Sequence, residues 1–403
     1  MWSVDEGEAR RLLAELVAID TTNPSLVRGG AGEHKAAEYL RKHLQELGLQ
    51  ARLDGVAPGR PNVIGVLPAT AKDMQQATIE TAASPFDVRH GLMINGHTDV
   101  VGSAGMDGLP FSVRFDGDRA YGRGAVDCKG GIVMGLLALA SVKKSGAELQ
   151  RSVLFTGVTD EEYASVGSED VAKRYTSDAA VIVEPTGLSL CVAHKGFSWV
   201  TIETIGHAAH GSRYEEGIDA IVNMGKVLVE VDKMGKQYLM EEEHPLVGHR
   251  SIHASLVEGG KELSTYPDRC KAQFERRTLP DEDPRGIVQE MEAIIERLSA
   301  ADPLFQARIR LDFIRHGYEV DREEPIVKAL AAAASSVTGA QPAYIGSGGW
   351  MDSAVLGARG IPTVIFGPSG VGAHAREEWV LISSILTGAQ VLAATIVDFC
   401  GRK

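Results

Sequence analysis

An α/β fold is predicted: a mixed, mostly parallel sheet with flanking helices, interrupted by an inserted α+β domain of ferredoxin-like order. Three observations predict it. Short apolar runs of the buried-strand type alternate with amphipathic helices through the first half of the chain. After Lys195 the pattern changes to the in–out alternation of half-solvated strands. From Glu324 onward helices and short buried strands return. At 403 residues the chain is also too long for one ordinary core. The expected division is a discontinuous domain over 1–194 and 316–403, with an insert over 195–315.

Each element has its own signal. Leu12, Leu13, Leu16 and Val17 fall at helical spacing within 8–18, and Thr22-Asn23-Pro24 ends that helix. A second amphipathic helix runs over about 33–47 and stops at Gly48. The spans 62–67 and 91–95 read as strands, separated by a polar stretch over 69–88 that reads as a surface insertion. A buried helix is expected over 130–143, and strands over 152–158 and 179–183. In the insert a strand over 199–205 is followed by a helix over 217–234, strands near 252–257 and 269–276, a helix over 284–298 and a strand over 307–313. That β-α-β-β-α-β order is the ferredoxin-like unit. A strand over 362–366 and a C-terminal helix complete the outer domain.

Composition narrows the function. The net charge is −13, from 41 basic and 54 acidic residues, which argues against nucleic acid or an anionic membrane as partner. No stretch of about 18 uninterrupted apolar residues occurs, so no membrane span is expected. The first residues are charged and lack an apolar core, which points away from a signal peptide and toward the cytoplasm. Cys128, Cys191, Cys270 and Cys400 are far apart and read as reduced thiols.

Chemistry gathers at the ends of the apolar runs. Ile94-Asn95-Gly96-His97-Thr98-Asp99 ends a buried strand in a His and a carboxylate two residues apart, so both side chains can share one face. One His97 nitrogen can then bind a metal while the Asp99 carboxylate holds the other. The glycine-dense Tyr121–Gly131 segment carries Asp127, which by itself suits a helix N-cap. Asp160-Glu161-Glu162 follows a strand directly; one carboxylate there can face a metal and its neighbour a water. Glu184 ends a further strand, where an unpaired carboxylate would be costly. A Gly-rich loop, 367–372, delivers His374. His97, Asp127, Glu162, Glu184 and His374 make a mixed imidazole–carboxylate set that suits zinc, cobalt or manganese. One carboxylate of such a set can bridge two ions.

These ordered motifs resemble the co-catalytic metallopeptidase family of acetylornithine deacetylase, succinyl-diaminopimelate desuccinylase, aminoacylase and glutamate carboxypeptidase. The resemblance extends over nearly the whole chain. It implies two divalent ions, zinc first, held by His97 and Glu184 on one side and Glu162 and His374 on the other, with Asp127 bridging. It gives Glu161 the role of general base and implies a cis bond between Asp127 and Cys128. The insert becomes a lid and dimerisation domain. Gly206-His207-Ala208-Ala209-His210-Gly211-Ser212 matches the family's lid motif, with His210 as the donor to the oxyanion, often across a homodimer. Arg277 and the loop residues Gly367, Ser369 and Gly370 would hold a substrate carboxylate.

Glu rather than Asp at position 184 looks like the deacetylase and carboxypeptidase branches. The expected activity is removal of an acyl group from an N-acyl amino acid, with a dipeptidase or carboxypeptidase, or an inactive metal-binding homologue, as alternatives. The chain departs from the family pattern at Glu275, at Ser264-Thr265-Tyr266-Pro267 and at Trp350, whose bulk suggests an unusual acyl or side-chain pocket. Cys128 follows the bridging Asp and reads as a buried, inert thiol.

Overall fold

Helix α1 (Glu6–Ala18) starts where the Asp5 carboxylate accepts the Glu8 N–H at 2.8 Å, and it buries Leu12, Leu13, Leu16 and Val17 along one stripe. Helix α2 (His34–Glu46) buries Ala36, Ala37, Leu40 and Leu44 in the same way. The computed structural model describes residues 2–70, 84 and 86–401, so most of the 69–88 insertion lies outside the described residues. The chain divides into two compact units. One comprises Met1–Val192, Val320–Ile345 and Met351–Lys403; the other comprises Ala193–Glu319 and Gly346–Trp350. The second unit therefore takes in Trp350, which the sequence pattern placed in the outer domain.

The first unit is built on a mixed sheet. Seven of its strands are β1 (Gln50–Ala57), β2 (Arg60–Leu67), β3 (His90–His97), β6 (Val153–Val158), β7 (Ser177–Ile182), β8 (Leu190–His194) and β15 (Thr363–Ile365), in the order β1-β2-β6-β3-β7-β15-β8. Parallel pairing joins the four central strands β6, β3, β7 and β15. β1, β2 and β8 join antiparallel, so the sheet is less parallel than the apolar runs suggested. The reason is local: β1 and β2 are two arms of a hairpin, and only the central strands are linked by helical crossovers. Every residue of β3 and β6 is buried, as expected when helices cover both faces. The helices Gly130–Ser145 and Ile382–Gly401 pack on each other and on β3, while Val166–Arg174 and Ser353–Gly357 pack on the opposite face. Two segments, Ala125–Ser145 and Ile382–Gly401, are long and apolar enough to cross a membrane, but 89% and 61% of them is buried inside the protein. Their burial is that of core helices.

A small second sheet in this unit joins strands of two or three residues: Arg114–Asp116, Arg119–Tyr121, Trp379–Leu381 and Gly370–Val371. It brings the segment before Asp127 beside the segment after His374.

The second unit carries β9 (Gly196–Ile205), helix Ala220–Tyr238, β10 (Ser251–Gly259), β11 (Arg269–Thr278), helix Gly286–Ala301 and β12 (Gln306–Arg315). The sheet order is β10-β11-β9-β12 and all its pairs are antiparallel, the ferredoxin-like arrangement. Val200, Ile202, Ala272 and Phe274 on one sheet face meet Met224, Val227, Ile287 and Met291 of the two helices. The other face bears Phe197, Trp199 and Phe313, with ring centroids 5.3–5.9 Å apart.

Candidate metal centre

The C-terminal ends of the four parallel strands are where open α/β sheets present their chemistry. β3 ends in His97, β6 runs into Asp160-Glu161-Glu162, β7 into Val183-Glu184 and β15 into Phe366-Gly367. His97 is buried. Its Nε2 lies 2.9 Å from Asp127 Oδ1 and 3.3 Å from Glu184 Oε1. The second carboxylate oxygen of Asp127 lies 3.4 Å from His374 Nε2, and Glu162 Oε2 lies 2.8 Å from that same nitrogen. All five sequence-predicted ligands thus converge. Asp127 stands between two half-sites, with one oxygen toward each histidine.

Local backbone explains how they get there. The Asp127–Cys128 bond is cis, and Gly124 before it takes φ +81°, a left-handed turn that glycine adopts freely. Asp160 and His374 are non-glycine residues with φ +68° and +61°. Such conformations persist where the surroundings enforce them. For Asp160 the surroundings are explicit: its Oδ1 accepts from Asn23 Nδ2 (3.1 Å) and Ser25 Oγ (3.0 Å) and pairs with Arg60 (2.8 Å).

Asp99 corrects one expectation. The His97 Nδ1 hydrogen bond goes to the Asp99 carbonyl oxygen at 2.9 Å; the nearer carboxylate oxygen is 3.6 Å away. A carbonyl can only accept, so Nδ1 carries the proton and the Nε2 lone pair is the one available for a metal. The Asp99 carboxylate is used elsewhere. It accepts the Glu161 N–H (3.1 Å), the Glu162 N–H (3.2 Å) and one hydrogen of Asn23 Nδ2 (2.8 Å). Asn23, whose motif the sequence used only to end a helix, is therefore a clamp on the acidic turn.

The electrostatics call for cations. Burial and the neighbouring Asp352, Glu184 and Glu162 carboxylates hold Glu161 well above the ordinary carboxylate range. Burial pushes Glu184 up to about 8. Burial would also raise Asp127, but His374 and His97 hold it below the ordinary range. The same contacts with Asp127 and Glu162 lift His374 to about 10. Four carboxylates facing two imidazoles, Glu184 buried and Asp127, Glu161 and Glu162 partly buried, are an uncompensated negative cluster unless cations balance them. The donor set, imidazole nitrogen plus carboxylate oxygen with one shared carboxylate, fits a pair of divalent transition ions. Cys128 Sγ also lies within 4.8 Å of ligand atoms of His97 and Glu184. Burial holds its thiol far above the ordinary value, and its S–H points to the His97 carbonyl (3.7 Å).

The remaining sequence-predicted residues are placed as follows. The Gly367 N–H donates to Thr186 Oγ1 (3.0 Å) and the Ser369 N–H to Ser384 Oγ (2.9 Å), while Gly370 pairs with Val380 in the small sheet. The Gly367 and Ser369 amides are thus spent within the protein, and this loop braces the strand end carrying Glu184 instead of offering those donors. In the second unit, Arg277 lies over the Phe197 ring at 5.2 Å and donates to Glu275 Oε1 at 2.7 Å. His210 is exposed, with Nδ1 2.8 Å from Ser212 Oγ.

A model described as peptidase family M20/M25/M40 matches residues 93–398. Acetylornithine deacetylase of Myxococcus xanthus is 27% identical over 98% of both chains. A pyrimidine deformylase of Bacillus subtilis, N-formyl-4-amino-5-aminomethyl-2-methylpyrimidine deformylase, is 26% identical over 91% of this chain and 89% of its own. Among solved structures, aminopeptidase PepT from Bacillus cereus superposes with a TM-score of 0.78 at 20% identity, over 98% of this chain and 99% of that one. The chain belongs to peptidase family M20/M25/M40, a family of amide-bond hydrolases.

Proposed function

We propose that the protein is a dinuclear metal amidohydrolase that removes the acyl group from an N-acyl amino acid. The observation that carries this reading is the Asp127 carboxylate, one oxygen 2.9 Å from His97 Nε2 and the other 3.4 Å from His374 Nε2. His97, Asp127 and Glu184 would hold one ion, and Asp127, Glu162 and His374 the other. When bound, the ions supply positive charge at the amide carbonyl and lower the pKa of a nearby water. Glu161, adjacent to the ligand Glu162, takes the water's proton and hands it to the leaving amine nitrogen. Asp99 fixes the direction of Glu161 by holding its N–H. The roles that the resemblance gives to His210, donation to the oxyanion, and to Arg277, a clamp on the substrate carboxylate, belong to this proposal. With the Gly367 and Ser369 amides engaged, Arg277 is the group assigned to the carboxylate.

A homodimer formed through the second unit is also part of the proposal. β10 is an edge strand whose Leu256 and Val257 are 64% and 63% exposed, next to a helix with Val222 and Val229 at 58% and 54%. Such an edge is a template for a second copy. A second substrate reading has support of its own. Among the solved structures of like fold are an aminopeptidase, a tripeptidase from Staphylococcus aureus and a carboxypeptidase from Sulfolobus solfataricus, and a dipeptide offers the same amide beside a free carboxylate. A panel of N-acetyl amino acids against dipeptides, with zinc, cobalt or manganese added, separates the readings. Preferential hydrolysis of the acyl compounds supports the deacylase; preferential dipeptide cleavage replaces it with a peptidase.

A further inference from the structure

The Glu378 carboxylate is 1% exposed and accepts four hydrogen bonds. Its Oε1 takes the N–H groups of Val126 (3.0 Å) and Asp127 (3.2 Å). Its Oε2 takes the Gly124 N–H (3.0 Å) and Arg123 Nη1 (2.7 Å). Every donor comes from the turn that carries Asp127. Arg123, itself 3% exposed, turns its other nitrogen, Nη2, to the carbonyls of Ala375 (3.1 Å) and Gly102 (3.3 Å). Ala375 follows His374, and Gly102 lies just beyond the His97–Asp99 strand end. One buried ion pair therefore ties together three segments: the Asp127 turn, the His374 loop and the chain leaving His97. The small sheet adds a backbone tie, since Gly122 N–H donates to the Glu378 carbonyl (3.1 Å) and Trp379 pairs with Tyr121.

The two half-sites depend on this pair unequally. His97 sits on β3 and Glu184 follows β7, both mounted on the parallel sheet. His374 sits on an irregular loop with positive φ, whose far end is held by Glu378 and Arg123. We propose that Glu378, with Arg123, is a positioning residue for the second metal: it aims the Asp127 carboxylate and sets the His374 loop at the distance from which both can reach one ion. This rests on the dinuclear reading above. Buried partners that orient ligands typically change metal affinity by about 10–100-fold when removed. Removing one member of a buried pair also leaves the other uncompensated, so the loss falls on the segments they join.

The test measures metal content and affinity. Glu378→Gln leaves one side of the carboxylate as an NH2 facing backbone N–H donors; Arg123→Lys keeps the charge but cannot serve Glu378, Ala375 and Gly102 together. A control, Asp54→Asn, breaks a buried acid in the same unit that pairs with Arg52 and Arg174 and has no link to the Asp127 turn. Metal-free protein is titrated with zinc and with cobalt, and bound metal is counted by elemental analysis. The cobalt d–d spectrum reports the ligand field of each ion. The expected result is that Glu378→Gln and Arg123→Lys keep one ion at wild-type affinity and weaken the second about 10–100-fold, with kcat falling more than KM rises, while the control binds both normally. Two ions of undiminished affinity in both variants, equal weakening of both ions, or the same loss in the control would overturn the proposal. Should Glu378→Gln fail to fold, Arg123→Lys decides alone. If wild-type protein binds no second ion, it is the dinuclear reading that fails, before the clamp is tested.

Discussion

Adding one methyl group at Gly131 should separate the two halves of the first metal site. Gly131 opens the helix that follows the Asp127 turn, and it abuts the strand end carrying Glu184. A Cβ built there would lie 1.8 Å from the Val183 carbonyl oxygen and 2.9 Å from its carbon. Carbon keeps roughly 3.3 Å from a carbonyl oxygen even in close contacts, so helix and strand must part by about 1.5 Å. Both neighbours are backbone and cannot rotate away. Asp127 and Glu184 would then no longer both sit near 3 Å from His97 Nε2, where they now lie at 2.9 and 3.3 Å. Ligand distances tolerate about 0.2 Å, so Gly131→Ala should lower affinity for the first ion at least about 10-fold. The overpacking itself should cost about 1–3 kcal/mol of stability. Gly135→Ala, one turn along the same helix, is the comparison. Its Cβ would meet Ile94 Cγ2 at 3.1 Å and Phe155 at 3.5 Å, side-chain atoms able to give way. Isothermal titration with zinc and urea unfolding of both variants measure the two quantities separately. If Gly131→Ala binds metal and turns over like Gly135→Ala, the reasoning from this contact to the site is wrong.

Three further outcomes are expected. Glu161→Gln should cut turnover about 10²–10⁴-fold with metal content unchanged, whereas Glu162→Gln should lose metal; elemental analysis showing the reverse means the two roles are exchanged. His210→Ala should reduce kcat about 10²–10³-fold, and mixing it with Glu161→Gln protein should restore activity after subunit exchange if His210 acts across a dimer; no recovery with hybrids confirmed places it in its own chain. Stability should fall with acid: burial lowers His90 and His194 to about 4, against 6.5 when exposed. The unfolded chain binds those protons first, so stability is complete above pH 6.5 and is lost as pH falls toward 4, by at most about 3 kcal/mol per histidine. Denaturant midpoints that are flat over that window, or that His90→Gln leaves equally steep, would contradict this.

The metal ligands were legible because His97, Glu162 and Glu184 follow apolar runs, while Asp127 and His374 sit in or just after glycine-dense segments. A hydrophobic strand followed by His97, Glu162 or Glu184 announces a polar group at the C-terminal edge of a sheet, whatever the topology. The main helices and most of the insert's elements were legible from periodicity, 3.6 in the helices and in–out alternation in strands such as Arg269–Thr278 and Gln306–Arg315. The four strands of the small sheet were not: at two or three residues each, they carry no period. β1 was missed because Gln50–Ala57 is mostly half-exposed and contains no continuous apolar run. Asp99 was assigned to the wrong partner because the i, i+2 spacing brings its own carbonyl to His97 as readily as its carboxylate. Glu378 was invisible for a different reason. It meets Arg123 across 255 residues of chain, and only the folded small sheet brings them together. At Gly367 and Ser369 the sequence shows a glycine-rich loop but not that the two amides donate to Thr186 and Ser384, partners distant in the chain.

The most direct test of the central claim is to strip the protein of metal with a chelator, count the residual ions, and follow hydrolysis of an N-acetyl amino acid as zinc, cobalt or manganese is added back. The account predicts no turnover in the stripped protein and recovery on adding metal, saturating at two ions per chain. Full turnover in a sample shown to contain no metal would contradict it.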